Sequence, residues 1–212
     1  MQIQTSINKS STTNVWKNPK FMFLWSGNAI ANFTFYIFTM SLPLIIYDLT
    51  KSPLAMSSMR AIEFLPNIIL ALFIGVIVDR YNRKRILSLS VLAQIIILLV
   101  LFLLLFTSVI KLWMIYALGF ILYTASFTFG NAFNSTIPNL VPSEQLTEAN
   151  SSITLASSTI SIVGPAFAGM ILFTMSYTNA LFFTMIGFTI LLVFIQFVKV
   201  PVLPTSNTQT RI

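Results

Sequence analysis

Long apolar runs alternate with short polar breaks along the 212 residues, and this pattern predicts six membrane-spanning helices. Each run is close to or above the roughly 20 residues that a helix needs to cross the hydrocarbon layer of a bilayer. We place the spans at Phe21–Tyr47, Leu54–Val78, Ile86–Phe106, Leu112–Ile137, Thr147–Met175 and Ala180–Val198. Residues 1–18 and 200–212 are predicted to be polar cytoplasmic tails, the first of them disordered, on either side of a transmembrane domain that covers 19–199.

Composition leads to the same class of protein. Hydrophobic residues make up 56% of the chain and charged residues 8%, whereas a soluble domain carries roughly three times that charged fraction. The chain has no cysteine and no histidine, which removes thiol nucleophiles, imidazole bases and the usual transition-metal sites. Neither a phosphate-binding loop nor a nucleophile elbow occurs. We therefore predict an integral membrane protein that is not an enzyme and that uses no metal or other cofactor.

The distribution of basic residues predicts the orientation of the spans. Lys and Arg concentrate in the cytoplasmic loops of membrane proteins. If the N-terminus is inside, the outer side carries only Lys51 and Lys111, with Arg60 near the outer end of the second helix. The remaining basic residues then lie in cytoplasmic segments: Lys9, Lys17, Lys20, Arg80, Arg83, Lys84, Arg85, Lys199 and Arg211. We therefore expect both termini to be cytoplasmic.

Polar stripes distinguish the first and fourth helices from the others. Polar side chains in a membrane helix face a partner or a wet cavity, so we interpret these stripes as cavity lining, with interhelical hydrogen bonding as the alternative. The stripe on the first helix holds Asn28, Asn32, Phe35, Tyr36 and Thr39, and that on the fourth holds Thr124, Thr128, Asn131 and Ser135. The third and sixth helices are broken mainly by Gln94 and Gln196 and are predicted to lie at the lipid edge.

One carboxylate lies deep within an apolar run. Glu63 is about ten residues into the second helix, roughly 15 Å along it, and Arg60 precedes it by one turn on the same face. An ionisable residue inside the membrane is costly and often marks a functional site. We predict that Glu63, with Arg60, serves proton coupling or cation recognition; a purely structural ion pair is the alternative.

The fifth helix and the segment before it contain further signals. Pro138 and Pro142 are predicted to end the fourth helix, and Ser143 is predicted to cap the turn that follows. Small residues then line one face of the fifth helix, where they allow close packing of a neighbouring backbone. They are Thr154, Ser157, Ser158, Ser161, Gly164, Ala168 and Gly169.

A basic loop joins the second and third helices. Four of the twelve cationic residues fall within positions 80–85. A nucleic-acid patch is an alternative use of such a cluster, but the membrane-length runs on both sides favour a short cytoplasmic turn.

The residue order around this loop resembles the loop signature of the major facilitator superfamily. The matching positions are Gly75, Ile77, Asp79, Arg80, Arg83, Lys84 and Leu87. Asn82 stands where a second glycine is usual, and asparagine also enters left-handed backbone conformations. Asp-Arg followed by Arg-Lys-Arg, with the Pro-x-Leu-Val-Pro segment at 138–142, resembles the macrolide-efflux branch of drug exporters. Gly164-Pro165-x-x-Ala168-Gly169 resembles the end of a helix-five antiporter signature.

The resemblance implies a fold and a function. The fold is six helices in two inverted three-helix repeats, half of a major facilitator fold. The function is that of the N-terminal half of an efflux permease in the bacterial plasma membrane, exporting amphiphilic, drug-like compounds by proton antiport. In such a protein Asp79 holds the two halves together in one state, and Gly164, Pro165 and Gly169 form a hinge. The alternatives are a solvated turn residue at Asp79 and a kink in the fifth helix that serves packing alone. Many drug–proton antiporters have an arginine in the fourth helix, which is missing here, so proton coupling rests on Glu63.

The implied partners are a lipid bilayer, a small amphiphilic substrate, protons, and either a C-terminal six-helix half or a second copy. The polar run Pro201–Ile212 is where the central loop of a twelve-helix transporter begins. The alternative is a truncated membrane fragment or interaction module without transport activity. The residues identify neither the substrate nor the stoichiometry of coupling.

Overall fold

The computed structural model describes residues 14–198, apart from the side chains of Leu72, Asp79 and Arg80. A 3₁₀ turn, Val15–Lys17, precedes six long helices. All six are long and apolar enough to cross a membrane. The helices are α1 Pro19–Thr50, α2 Pro53–Arg80, α3 Arg83–Phe106, α4 Leu112–Leu140, α5 Leu146–Thr174 and α6 Tyr177–Phe197. The six predicted spans are therefore confirmed, with ends that differ by a few residues.

Side-chain caps explain where several helices begin. The Asn18 side chain accepts a hydrogen bond from the backbone N–H of Lys20, and Ser52 and Ser176 cap α2 and α6 in the same way. A cap of this kind satisfies one of the backbone donors that a helix start leaves free. Asn82 also caps, at the start of α3, with an ordinary φ of −62°. The expectation that Asn82 replaces a glycine because it adopts a left-handed conformation is wrong: its side-chain acceptor serves there.

The helix packing has a pseudo-two-fold pattern. α1 packs mainly against α6 and α5, while α4 packs mainly against α3 and α2, and α3 and α6 pack against each other. Exchanging α1 with α4, α2 with α5 and α3 with α6 reproduces these main contacts. The two triplets run in opposite directions, because the N-terminal end of α1 lies beside the C-terminal end of α4, where Asn18 donates a hydrogen bond to the Leu140 carbonyl. The all-α fold of two inverted repeats is confirmed.

α3 and α6 form what we call the back of the bundle. Their inner faces bury large aliphatic side chains such as Leu98 and Leu191, and α6 approaches α1 so closely that a Cβ on Gly187 would collide with Thr34. Their other faces expose apolar side chains such as Leu92 and Phe182, which suits contact with lipid. α2 and α5 bury a much smaller share of their residues. We call these two helices, with the α1 and α4 faces between them, the front.

Two features differ from expectation near the ends of the helices. Residues 14–18 belong to the folded bundle, because Val15 is fully buried and its N–H donates to the Glu148 carboxylate at 3.5 Å. Disorder was expected through residue 18, but a buried valine and an asparagine cap fix this part. Pro138 lies inside α4, which ends only at Leu140, since a proline near a helix end disrupts few backbone hydrogen bonds. Residues 1–13 and 199–212, which include most of the first predicted tail and all of the second, lie outside the described residues.

Candidate functional site

The deep carboxylate and its neighbouring cation form an ion pair on α2. Arg60 Nη1 lies 2.7 Å from Glu63 Oε2, three residues further along the helix. The side chains keep 48% and 24% of their exposed surface, respectively. This spacing places both groups on one face of a helix. Arg60 and Glu63 therefore form an ion pair, and both side chains are partly exposed.

Glu63 lines a cleft of about 420 Å³ between α1, α2 and α4, which we call the polar cleft. Its walls combine aromatic rings with amide and hydroxyl groups. The lining residues are Phe35, Glu63, Phe64, Asn67, Tyr123, Ser126, Phe127, Gly130, Asn131 and Asn134. Among the described residues, Asn67, Ser126 and Asn134 have no hydrogen-bond partner for their side chains. The cleft therefore presents free donors and acceptors beside a carboxylate.

Arg60 lines a second, larger space between α1, α2 and α5, of about 570 Å³, which we call the apolar cleft. Prolines, methionines and leucines dominate its surface. The lining residues are Met40, Pro43, Leu44, Pro53, Met56, Ser57, Arg60, Pro165, Gly169, Leu172 and Phe173. Both clefts open on the front of the bundle, and the ion pair stands at their border.

The predicted polar stripes fall on the front only in part. Asn131 lines the polar cleft, and its side-chain amide also donates to the Phe127 carbonyl. The hydroxyls of Thr124 and Thr128 donate to carbonyls of their own helix. Of the predicted α1 stripe, Phe35 lines the polar cleft. The two threonines line neither cleft, and neither do Asn28 and Thr39, which are buried, or Asn32 and Tyr36, which are partly buried.

The sequence reasoning missed several residues of the polar cleft. On α4 the lining follows Tyr123, Ser126, Gly130 and Asn134, a row shifted by about one residue from the predicted stripe. On α2 it missed Asn67, four residues after Glu63 and hence on the same face. Helical spacing counted from Glu63 was the signal that could have found Asn67.

Comparison with known proteins decides the family. The family described as Major Facilitator Superfamily matches residues 24–211. The chain belongs to the major facilitator superfamily. It is therefore a multi-pass membrane protein, as its six apolar helices indicate.

Two relatives of the chain carry the same name. The chain is 30% identical over 191 residues to Macrolide efflux protein A of Streptococcus pyogenes, and equally to the protein of that name from serotype M6. The match covers 89% of this chain and 46% of each relative. The chain thus spans about half the length of the curated relatives it matches. No solved structure gave a significant match.

The superfamily loop motif lies between α2 and α3, and its basic residues hold other helices. Arg83 Nη1 donates to the Ser135 carbonyl of α4 at 2.7 Å, and Lys84 Nζ donates to the Gln196 carbonyl of α6 at 2.9 Å. Cations near the C-terminal ends of helices are favoured by the helix dipole. The Asp79 and Arg80 side chains lie outside the described residues. Of the side chains that the structure describes, none lies within 4 Å of where a Cβ on Gly75 would point.

The proposed hinge residues of α5 lie in one unbroken helix that passes through Pro165. Gly164 faces α1, where an added Cβ would lie 3.0 Å from the Tyr36 ring. Pro165 and Gly169 line the apolar cleft. Glycine at 164 therefore permits close approach of α5 to α1 next to that cleft, whereas Gly169 has open space around it.

No cluster of three metal-ligating side chains occurs among the described residues. The acidic residues are also few, since the whole chain has five. The chemistry of the front is thus that of one carboxylate, one guanidinium, amides, hydroxyls and aromatic rings. These groups can bind and orient a ligand and can carry a proton.

Proposed function

We propose that this chain supplies the N-terminal six-helix half of an efflux permease that exports drug-like or amphiphilic compounds from bacterial cells. Membership of a transporter superfamily favours transport over catalysis. The names of both relatives favour efflux. The observation that carries the proposal is the polar cleft, because it places a carboxylate, free amides and aromatic rings within one space of about 420 Å³. Ligand sites of this kind combine apolar walls with a few polar groups that fix orientation.

In this proposal Glu63 receives either a proton or the cationic group of a substrate. A single carboxylate that binds both in turn would exchange one for the other, which is the basis of proton antiport. Glu63 is suited to this because it lies mid-helix and borders both clefts through Arg60. Proton antiport is supported by this placement, and Glu63→Gln is its test: the variant should lose the pH dependence of efflux.

We propose that both termini are cytoplasmic in the plasma membrane. Lys17, Lys20, Arg83 and Lys84 lie toward the end of the bundle that holds Asn18, and Lys51 lies at the other end. Positive charge on one side supports that orientation. If single cysteines at Ser11→Cys or Thr208→Cys reacted with an impermeant reagent added outside intact cells, this orientation would be wrong.

A second six-helix unit is part of the proposal. α2 and α5 leave apolar side chains such as Ile68 and Phe173 almost uncovered, and α5 leaves Ser157 and Ser161 exposed as well. Alternating access in this superfamily moves one half against the other around a shared site. We propose that a C-terminal six-helix half, in the same or a separate polypeptide, covers the front, in preference to a second copy. The Asp79 loop motif and the Gly164–Gly169 hinge then act in the movement.

Drug accumulation in cells tests the proposal. We expect a macrolide to accumulate less in cells that express this chain with a C-terminal half of a relative than in cells that express either part alone. A matched control carries Glu63→Gln in the same pair. If the pair inserts into the membrane and macrolide accumulation does not change, the chain is better described as a membrane interaction module without transport activity.

A further inference from the structure

The Arg60–Glu63 ion pair has one member in each cleft. Arg60 belongs to the wall of the apolar cleft, and Glu63 belongs to the wall of the polar cleft. Their contact of 2.7 Å is the one ion pair within the membrane part of the described residues, since the other joins Asp48 and Lys51 at a helix end. Because both groups sit on the same helix one turn apart, rotation of the Arg60 side chain alone separates them.

The rest of the polar cleft contains hydrogen-bonding groups that the described residues leave unused. The Tyr123 side chain is only 6% exposed, yet its hydroxyl has no hydrogen-bond partner among the described residues. The amides of Asn67 and Asn134 are also unpaired there, and Asn131 uses only its donor. Asn67 and Asn134 are exposed, so their amides are accessible to a ligand. A ligand with several oxygen atoms could form hydrogen bonds with these groups.

The aromatic walls define the remaining part of the ligand. Phe35, Phe64 and Phe127 surround the polar groups, and Phe35 packs edge-on against Tyr123 at a ring-centre distance of 6.0 Å. Such rings favour an apolar body, and their faces also attract cations. The complementary ligand is an amphiphilic amine that carries hydroxyl or carbonyl groups.

We infer that the Arg60 guanidinium competes with the ligand for the Glu63 carboxylate. A polyoxygenated amphiphilic amine enters the polar cleft and replaces the guanidinium on this carboxylate. The Arg60 side chain then rotates toward the apolar cleft. The inference rests on the proposed function, since it names the ligand class of the same site and the residue, Arg60, that competes with this ligand. The displaced guanidinium does not need a closed pocket, because its side chain is already 48% exposed. The carboxylate keeps a cation in both states.

The competition predicts in which direction removal of the Arg60 charge changes the affinity for the amine. If Arg60 competes with the ligand, a neutral residue at position 60 strengthens binding of the amine. If the ion pair instead holds Glu63 in its binding position, the same substitution weakens binding. The two roles of the ion pair therefore predict opposite changes in one measured constant.

Binding to the purified chain in lipid nanodiscs tests the inference. The probe is 2-amino-3-phenylpropan-1-ol at pH 7, and its uncharged match is 3-phenylpropane-1,2-diol, which controls for partition into lipid. In calorimetric titration, Arg60→Gln is expected to bind the amine about fivefold more tightly, the order expected when a half-exposed competing ion pair is removed. Glu63→Gln is expected to lose the preference for amine over diol. Unchanged or weaker binding in Arg60→Gln, or a preference that survives Glu63→Gln, would overturn the inference.

Two further variants guard against a folding artefact. Arg60→Met keeps the apolar stem without the charge and should tighten binding like Arg60→Gln, whereas Arg60→Lys keeps a competing cation and should bind like the parent. If Arg60→Lys bound the amine as tightly as Arg60→Met does, competition by charge would be contradicted.

The titration measures binding and does not depend on efflux. If this binding pattern holds and paired expression gives no efflux, the proposed function fails and the inference stands. Efflux with the opposite binding pattern supports the proposed function and overturns the inference.

Discussion

The back of this bundle is built from more apolar helices than the front, and the two regions also differ in how tightly they pack. At the back, α3 and α6 fill the space between them and against α1 and α4 with side chains that leave no room for a Cβ at Gly187. At the front, α2 and α5 leave two clefts of about 420 and 570 Å³, with unpaired polar groups in the smaller one. The regions therefore differ both in average hydropathy and in how completely side chains fill the space between the helices.

The difference predicts how each region responds to substitution. Side chains at the back determine stability, because close packing makes small volume changes costly. Side chains at the front select the ligand in the proposed function, because several of them are exposed and line the clefts. A substitution at the front should thus change transport with little change in stability, and a substitution at the back should do the opposite.

The largest expected effect is that of Glu63→Gln. In the permease that we propose, this substitution is expected to reduce efflux at least about tenfold, because only the charged group is lost and the volume remains. The thermal midpoint of the purified chain should change little, since an ion pair this exposed contributes on the order of 1 kcal/mol or less. Efflux assays and thermal unfolding in detergent measure the two effects. Efflux at the parental level would place the binding site elsewhere on the front.

Glycine substitutions sharpen the comparison through stability. A Cβ on Gly187, on α6, would collide with the Thr34 side chain, whereas a Cβ on Gly119, on α4, would meet only the terminal methyl of Met59. A β-branched side chain has few alternative rotamers, and methionine has many. We expect Gly187→Ala to destabilise the chain by about 1–3 kcal/mol, and Gly119→Ala to cost clearly less. Equal thermal midpoints for the two variants would contradict a rigid back.

The smallest expected effect concerns a buried amide at the back. Gln94 is 1% exposed, its amide donates to the Ser90 carbonyl at 3.2 Å, and its Oε1 has no partner among the described residues. An unsatisfied buried acceptor costs on the order of 1 kcal/mol or more. We expect Gln94→Met to raise stability by about that amount and to leave ligand binding unchanged. A fall in the thermal midpoint would show that this amide has a partner in the membrane.

The sequence was sufficient for the fold and for part of the site. Spans, repeats and family follow from apolar run length and from the loop motif at Gly75, because a membrane permits few alternatives to a helix. Glu63 stood out because an ionisable side chain within a membrane span is costly. Hydrophobic periodicity was less useful on α4. The hydroxyls of Thr124 and Thr128 donate to backbone carbonyls of α4 itself, so these polar residues do not mark the wall of a cleft.

Two other features depend on contacts that sequence does not contain. Asn67 and Asn134 come together only when α2 packs against α4, and they are more than sixty residues apart. Val15 looked like part of a polar tail until the bundle supplied a pocket that buries it completely. The polar cleft and the burial of Val15 both depend on which helices pack together, and the local sequence pattern does not contain that information.

Solvent access to single cysteines tests the difference between front and back most directly. The chain has no native cysteine, so Asn67→Cys and Asn134→Cys report on the polar cleft, while Leu92→Cys reports on an exposed position at the back. In proteoliposomes treated with a small, charged methanethiosulfonate reagent on both sides, we expect both cleft thiols to react at least about tenfold faster than the thiol at position 92. We also expect 2-amino-3-phenylpropan-1-ol to slow the reaction in the cleft. Equal rates at the three positions, with no protection by the amine, would contradict a wet, ligand-binding front and a lipid-facing back.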